Sequence, residues 1–251
     1  MAKRPSEVPR DTVRALNRGD RQTANLAECL AVDFAALMRA ALPDAGEPAF
    51  ERMADAASLG VTRRFALAGR ITLEHLGPDR AAELAGHPSD TVRGWACYAI
   101  GAAPDRTTAR RLKAIKPFAA DHHFGVREWA WLALRPAIAA DLDDAIDRLA
   151  RWSNSRDQNI RRFASEATRP RGVWCAHLRE LRADPARGLP ILTPLRADPS
   201  KYVQDSVANW INDASKDAPA WARSLASEWL DAEPNAATER ICRRALRSLP
   251  A

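Results

Sequence analysis

The chain has 251 residues, with hydrophobic types at 46%, charged types at 28% and only 11 Gly and 17 Pro. That balance excludes wholesale disorder and a collagenous or linker-rich chain, and fits one large domain or two small ones. Thirty-eight Lys and Arg against 32 Asp and Glu leave a formal net charge of +6, which favours a polyanionic partner.

In chain order, Met1 to Arg14 is polar and basic and lacks the apolar core of a signal peptide. Leu30 to Leu42 is the most apolar stretch, but Asp33 and Arg39 interrupt it, and it falls short of the roughly 20 residues of a membrane span. The cysteines, Cys29, Cys97, Cys175 and Cys242, form no CxxC or CxxH pair, which predicts reduced thiols, no metal site and a cytoplasmic protein. Lys occurs only at Lys3, Lys113, Lys116, Lys201 and Lys216. The positive charge is therefore nearly all guanidinium, the group that grips two phosphate oxygens at once.

Apolar positions recur at helical spacing almost throughout, and alternating β-branched runs are missing, so the chain is expected to be all-α. Breakers at Pro43, Gly77-Pro78, His87-Pro88, Pro104, Pro117, Pro136, Pro170, Pro185, Pro190, Pro194, Pro199, Pro219 and Pro234 cut it into pieces of one helix each. Three segments are alike: HPSDTVRGWACYAIGA from His87, DHHFGVREWAWLALRP from Asp121 and SRDQNIRRFASEATRP from Ser155. Each sets an aliphatic residue before an Arg, and the aliphatics Val92, Val126 and Ile160 recur every 34 residues. Looser copies carry Val203 and Ile241. The period is that of paired-helix repeats. The expected architecture is a curved solenoid of HEAT-like helical repeats, an α-α superhelix whose second helices build a concave wall. A single domain over 1–251 would comprise a helical bundle at about 11–76 and repeats at about 77–251.

Within the repeats, Val126, Trp129, Ala130 and Ala133 have core spacing, and Glu128, Trp131 and Arg135 form the stripe beside them. The next units place Arg162, Glu166 and Arg169, then Asp205, Asn209 and Asn212, on the equivalent stripe. A solvated face with helix salt bridges would look the same but for the indoles: Trp131 shares the stripe of Glu128, while Trp152 and Trp174 bracket the Arg-rich unit. A carboxylate with an aromatic wall suits a cationic substrate, and Arg suits a phosphate backbone. His122-His123 reads as a helix start, Asp121 and Asp157 read as caps, and no glycine motif for a nucleotide cofactor occurs.

Four motifs resemble the AlkC branch of the HEAT-like alkylpurine DNA glycosylases, the AlkC/AlkD superfamily: TANLAECLAVDFAALM from Thr23, FGVREWAWLALRP from Phe124, NIRRFASEATRPRGVW from Asn159 and ADPSKYVQDSVANWINDASKD from Ala197. The block 124–217 is the most specific, because Ser165-Glu166 followed by Arg169-Pro170-Arg171 is unusual for a generic repeat. Some AlkC relatives carry an added immunoglobulin-like domain, whereas the sequence here is helical up to Ala251.

The resemblance implies hydrolysis of the N-glycosidic bond of cationic N3-alkylated bases, 3-methyladenine and 3-methylcytosine, in double-stranded DNA. The enzyme would be monofunctional, monomeric and free of cofactor and metal. Glu128 is then the first candidate for the carboxylate that steadies an oxocarbenium-like sugar and directs water, Glu166 the second and Asp205 the third. Trp131 and Trp174 would contact the lesion, with Trp129, Asn209 and Trp210 beside them, and Arg127, Arg162, Arg169, Arg171 and Lys201 would hold the DNA backbone. The competing expectation is a non-catalytic HEAT-repeat scaffold that binds DNA, RNA or protein.

Overall fold

The computed structural model describes residues 4–104, 106–232 and 234–250. Among them the regular structure is entirely helical, with fifteen α-helices joined by short turns. None of these helices is long and apolar enough to cross a membrane. The chain divides into two compact units, 1–134 and 135–251.

The first unit contains α1 (Arg10–Asn17), α2 (Leu26–Ala31), α3 (Phe34–Ala41), α4 (Glu47–Asp55), α5 (Val61–Glu83), α6 (Asp90–Ala102), α7 (Thr108–Ala119) and the start of α8 (Phe124–Ala140). Helix starts follow the polar residues that cap them: Asn25, Asp33, Ser89 and Thr107 each accept a hydrogen bond from the first-turn amides. Within α5 the helix breaks at Gly77 (φ 72°), a left-handed position that suits glycine, and Pro78 opens the second piece. Phe34, Phe65, Trp95 and Trp129 form an aromatic core, with Phe65 and Trp129 stacked at 3.9 Å between centroids. Close approach of α5 to α6 depends on Gly69, where an added Cβ would lie 2.3 Å from Tyr98 Cβ.

The second unit contains α9 (Leu142–Trp152), α10 (Gln158–Ala167), α11 (Arg179–Ala183), α12 (Leu189–Leu192), α13 (Lys201–Ser215), α14 (Pro219–Ala232) and α15 (Ala236–Ala245). Helix α13 packs against α10, α14 and α15. Its Trp210 is fully buried, beside Gly188, and donates its indole N–H to Thr168 Oγ1 at 3.2 Å.

The repeated aliphatic-Arg pair has a structural meaning. Arg93, Arg127 and Arg161 each turn a guanidinium back onto two carbonyls of the loop before their own helix: His87 and Pro88, Asp121 and His122, Ser155 and Arg156. Arg93 and Arg161 also reach forward to a carboxylate at the next joint, Asp121 (2.8 Å) and Asp198 (2.6 Å). Each such Arg thus locks one turn and ties it to the following one. Arg93 and Asp198 are buried while Asp121 and Arg161 are partly exposed, so breaking either pair from one side costs at most the roughly 3–5 kcal/mol of a fully buried pair.

Two expected breaks do not occur. Pro117 lies inside α7 and Pro136 inside α8. Each removes one amide hydrogen bond late in its helix, and burial of Ile115 and Phe118, or of Leu134 and Ile138, on either side of the proline carries the helix through. Pro190 and Pro219 fall instead in first turns, where proline is tolerated.

Candidate functional site

In the first unit the candidate group is Glu128 on α8. Glu128 is half-buried, and Trp131, one turn on, donates its indole N–H to Glu128 Oε2 at 2.9 Å. One carboxylate oxygen is therefore oriented by an indole while the side chain keeps access to solvent. The indole differs from expectation: Trp131 is only 4% exposed, because almost every residue of α8 from Val126 to Arg135 is buried apart from Arg127 and Glu128. Trp129 lies in the core against Phe65, so its face is covered by protein. Arg127 is engaged with the carbonyls of Asp121 and His122 at the start of its own helix. His123 is buried with its Nε2 2.6 Å from Thr23 O, while Asp121 accepts from the His123 amide and from Arg93.

In the second unit the candidate groups gather around Glu166 at the end of α10. Glu166 is 3% exposed; Oε1 accepts from Arg169 at 2.7 Å, Oε2 accepts from Ser206 at 2.6 Å, and Arg162 stands 3.4 Å from Oε2. Burial alone would raise its pKa, but the attraction of Arg162 and Arg169 and the hydrogen bonds from Ser206 and Arg169 outweigh that, and the net shift is downward. Arg169, whose charge burial disfavours, is held above its ordinary value by Glu166 and by Asp213, the latter at 2.8 Å. Asp213 is also met by Lys216. Arg162 donates to Tyr202 O and lies over the Tyr202 ring at 4.0 Å. Arg135 is buried and donates to the carbonyls of Ala167 and Arg169. Ala167 ends α10 and Arg169 lies two residues past it, and the last carbonyls of a helix lack intrahelical partners.

Asp205 on α13 is half-buried and shared between Arg240 (2.7 Å) and Arg244 (3.1 Å). Asn209 accepts from Arg247 at 2.9 Å. Arg171 and Arg182 both pair with Asp217, whose carboxyl they hold far below the usual range. Trp210 is in the core, and Lys201 is exposed at the first position of α13. Trp174 is 57% exposed on the loop after α10.

Arg162, Arg169 and Arg171 are thus each tied to a carboxylate of the same unit. The arrangement nevertheless leaves positive charge over. Two guanidinium groups share Asp217, two share Asp205, and Arg162, Arg169 and Lys216 together meet two carboxylates among the described residues, Glu166 and Asp213. Arg240, Arg244 and Arg247 escaped the sequence reading; their spacing of four and three residues, opposite the Asp205 and Asn209 stripe, was the available signal. Ser206 and Asp213 gave no signal, since their roles depend on α13 crossing the end of α10.

No protein-family profile matches the chain. Over 117 residues it is 40% identical to the uncharacterized protein YhaZ of Bacillus subtilis; the match covers 47% of this chain and 32% of that protein. Among solved structures it is similar to the alkylpurine DNA glycosylase AlkC of Pseudomonas fluorescens bound to DNA containing an abasic-site analog. That match has a TM-score of 0.74 and 26% identity, over 99% of this chain and 65% of the AlkC chain. Streptococcus mutans supplies two more distant likenesses, smu.31 (TM-score 0.61, 17% identity, 81% of this chain and 98% of that one) and AlkD2 (0.58, 18%, 81% and 100%). The chain therefore spans about a third of the curated relative and less than two thirds of AlkC.

Proposed function

We propose that this chain, which shares the all-helical fold of AlkC and AlkD2, is a DNA glycosylase of the AlkC/AlkD superfamily that releases cationic N3-alkylated bases, 3-methyladenine and 3-methylcytosine, from double-stranded DNA. The observation that carries this reading is the likeness to DNA-bound AlkC over 99% of the chain, joined to a half-buried glutamate, Glu128, one oxygen of which takes an indole hydrogen bond. A cationic base is already a good leaving group, so the reaction needs little acid catalysis. As the C1′–N bond breaks, its electron pair leaves with the base, which departs neutral, and the deoxyribose becomes oxocarbenium-like. Water adds at C1′ and loses a proton. A fixed carboxylate stabilises the developing positive charge and accepts that proton.

In this reading Glu128 is the catalytic carboxylate. Trp131, through its N–H, orients the Glu128 carboxylate, which makes it a positioning residue. Glu166 has both oxygens taken by Arg169, Ser206 and Arg162, and Asp205 is bridged by two arginines. Each serves in this reading to arrange guanidinium groups toward the phosphates. Trp174 is the exposed indole that contacts the nucleotide, and Lys201 with Arg240, Arg244 and Arg247 adds to the attraction for the backbone. Trp129 and Trp210, enclosed in the two cores, act through packing.

The test is incubation of the purified chain with methylated duplex DNA, followed by chromatography of the released bases and a count of abasic sites. Free 3-methyladenine with one abasic site per base released is expected. Binding of DNA without base release would favour the scaffold reading.

A further inference from the structure

The turn between α9 and α10 and the segment leading into α13 enclose a cavity of about 500 Å³, lined by 153–155, Arg161, Pro194 and 196–199. That size falls within the range of small-molecule sites, about 300–1,000 Å³. None of these residues belongs to the Glu166 cluster, and the base-release chemistry calls on none of them.

The walls are held in place by the chain itself. Arg161 sets Nε and Nη2 on Asp198 at 2.6 and 3.0 Å, and Nη1 on the carbonyls of Ser155 and Arg156. Asp198 also accepts from the Ser200 amide at 2.8 Å, and its carbonyl accepts from Gln204 at 2.7 Å. Two further features of the cavity do nothing for the fold. Ser153, at the end of α9, is 2% exposed, and its hydroxyl has no hydrogen-bond partner among the described residues. A buried hydroxyl in that state is unfavourable, and most such groups are paired. The lining is also unbalanced in charge. Asp198 neutralises Arg161, whereas Arg196 adds a second cation and no second carboxylate lines the cavity.

The donors there can serve a ligand as well as the chain. A guanidinium carries five N–H groups in a planar fork, of which Arg196 gives one to Thr193 O. The Ser155 hydroxyl accepts from the Asp157 amide and keeps its own proton to donate. We propose that this cavity binds a small phosphomonoester of mononucleotide size, its phosphate oxygens taken by Arg196 and the hydroxyls of Ser153 and Ser155, and its organic body set against Pro194 and Pro199. A terminal phosphate offers three acceptor oxygens on one centre, and charge-assisted hydrogen bonds to it are strong. A phosphodiester inside a duplex, flanked by sugars on both sides, does not reach a hydroxyl as deeply set as that of Ser153. The proposal is independent of the glycosylase reading.

Isothermal titration calorimetry of the full chain with deoxyadenosine 5′-monophosphate, and with deoxyadenosine as the phosphate-free control, tests it. Wild type should bind the mononucleotide at least about tenfold more tightly than the nucleoside. Arg196→Gln and Ser153→Ala should each weaken mononucleotide binding about tenfold or more, the effect of one hydrogen bond to a charged group. Ser153→Ala also separates binding from folding: loss of an unpartnered hydroxyl should leave the Tm of the ligand-free chain no lower than that of wild type. A lowered Tm with unchanged affinity would assign that hydroxyl to the fold and overturn its place in the site. Saturating undamaged duplex should leave the mononucleotide affinity within about threefold, because the two occupy different places; displacement by duplex would make the cavity a seat for backbone phosphate and overturn the proposal. A wild-type chain that fails to bind the mononucleotide, or binds the nucleoside equally well, would also overturn it, and would leave the glycosylase reading standing.

Discussion

Glu166 stays ionised in a place where burial works against charge, because Arg162, Arg169 and Ser206 together outweigh desolvation. A carboxyl whose pKa is lower folded than unfolded contributes stability that is fully present above its unfolded value, about 4.3, and that is lost as pH falls through its folded value. Ser206→Ala removes one of the stabilising hydrogen bonds and raises the folded pKa. Acid unfolding followed by circular dichroism should therefore begin at a higher pH in Ser206→Ala than in wild type, with the two proteins differing less once both are below the folded value. Equal acid midpoints would remove the hydroxyl from the network. Single residues of this kind were only half legible. Glu128 and Glu166 stand out in the sequence by falling on equivalent stripes of successive repeats, but the burial of Trp131 does not. A stripe adjoining the core on a helix packed on several sides is itself enclosed, and spacing cannot distinguish that case from a solvated face.

Helices and their joints were more legible than their chemistry. The 34-residue recurrence of Val92, Val126 and Ile160 announced the repeat, and the Arg after each of them locks the preceding turn. The carboxylates that answer Arg93 and Arg161, namely Asp121 and Asp198, sit at the following joint, 28 and 37 residues on, where loop lengths differ and no fixed spacing betrays them. Proline was a weaker guide, as the passage of α7 and α8 through Pro117 and Pro136 shows. Contact between α5 and α6 supplies a direct test of packing. Gly69→Ala places a methyl carbon 2.3 Å from Tyr98 Cβ, and both groups lie on helices that cannot move independently. Overpacking of this kind costs about 1–3 kcal/mol, so urea unfolding of Gly69→Ala should show a midpoint lowered by a corresponding amount with little change in slope. An unaltered midpoint would mean that α5 and α6 slide past each other without penalty.

For the molecule as a whole, charge and fold point the same way. The formal charge of +6 is mostly guanidinium, and much of it is arranged so that two arginines share one carboxylate, at Asp205 and at Asp217. Such clusters hold their own geometry without a ligand and still attract phosphate, which a row of one-to-one salt bridges would not. Of the residues expected to bind DNA from sequence alone, Arg127 holds a helix start, Arg162 and Arg169 surround Glu166, and Arg171 shares Asp217 with Arg182. Part of the basic surface comes instead from α15 and the turn after it. Their role was hidden because it arises only when α15 packs on α13. What the account requires most is that an accessible carboxylate on α8 drives loss of the base. The single-turnover rate of base release from an oligonucleotide bearing one cationic N3-methyl lesion, measured with enzyme in excess for wild type and Glu128→Gln, tests it most directly. A fall of about 100-fold or more is predicted, with DNA affinity kept within about threefold; release by Glu128→Gln at the wild-type rate would contradict it.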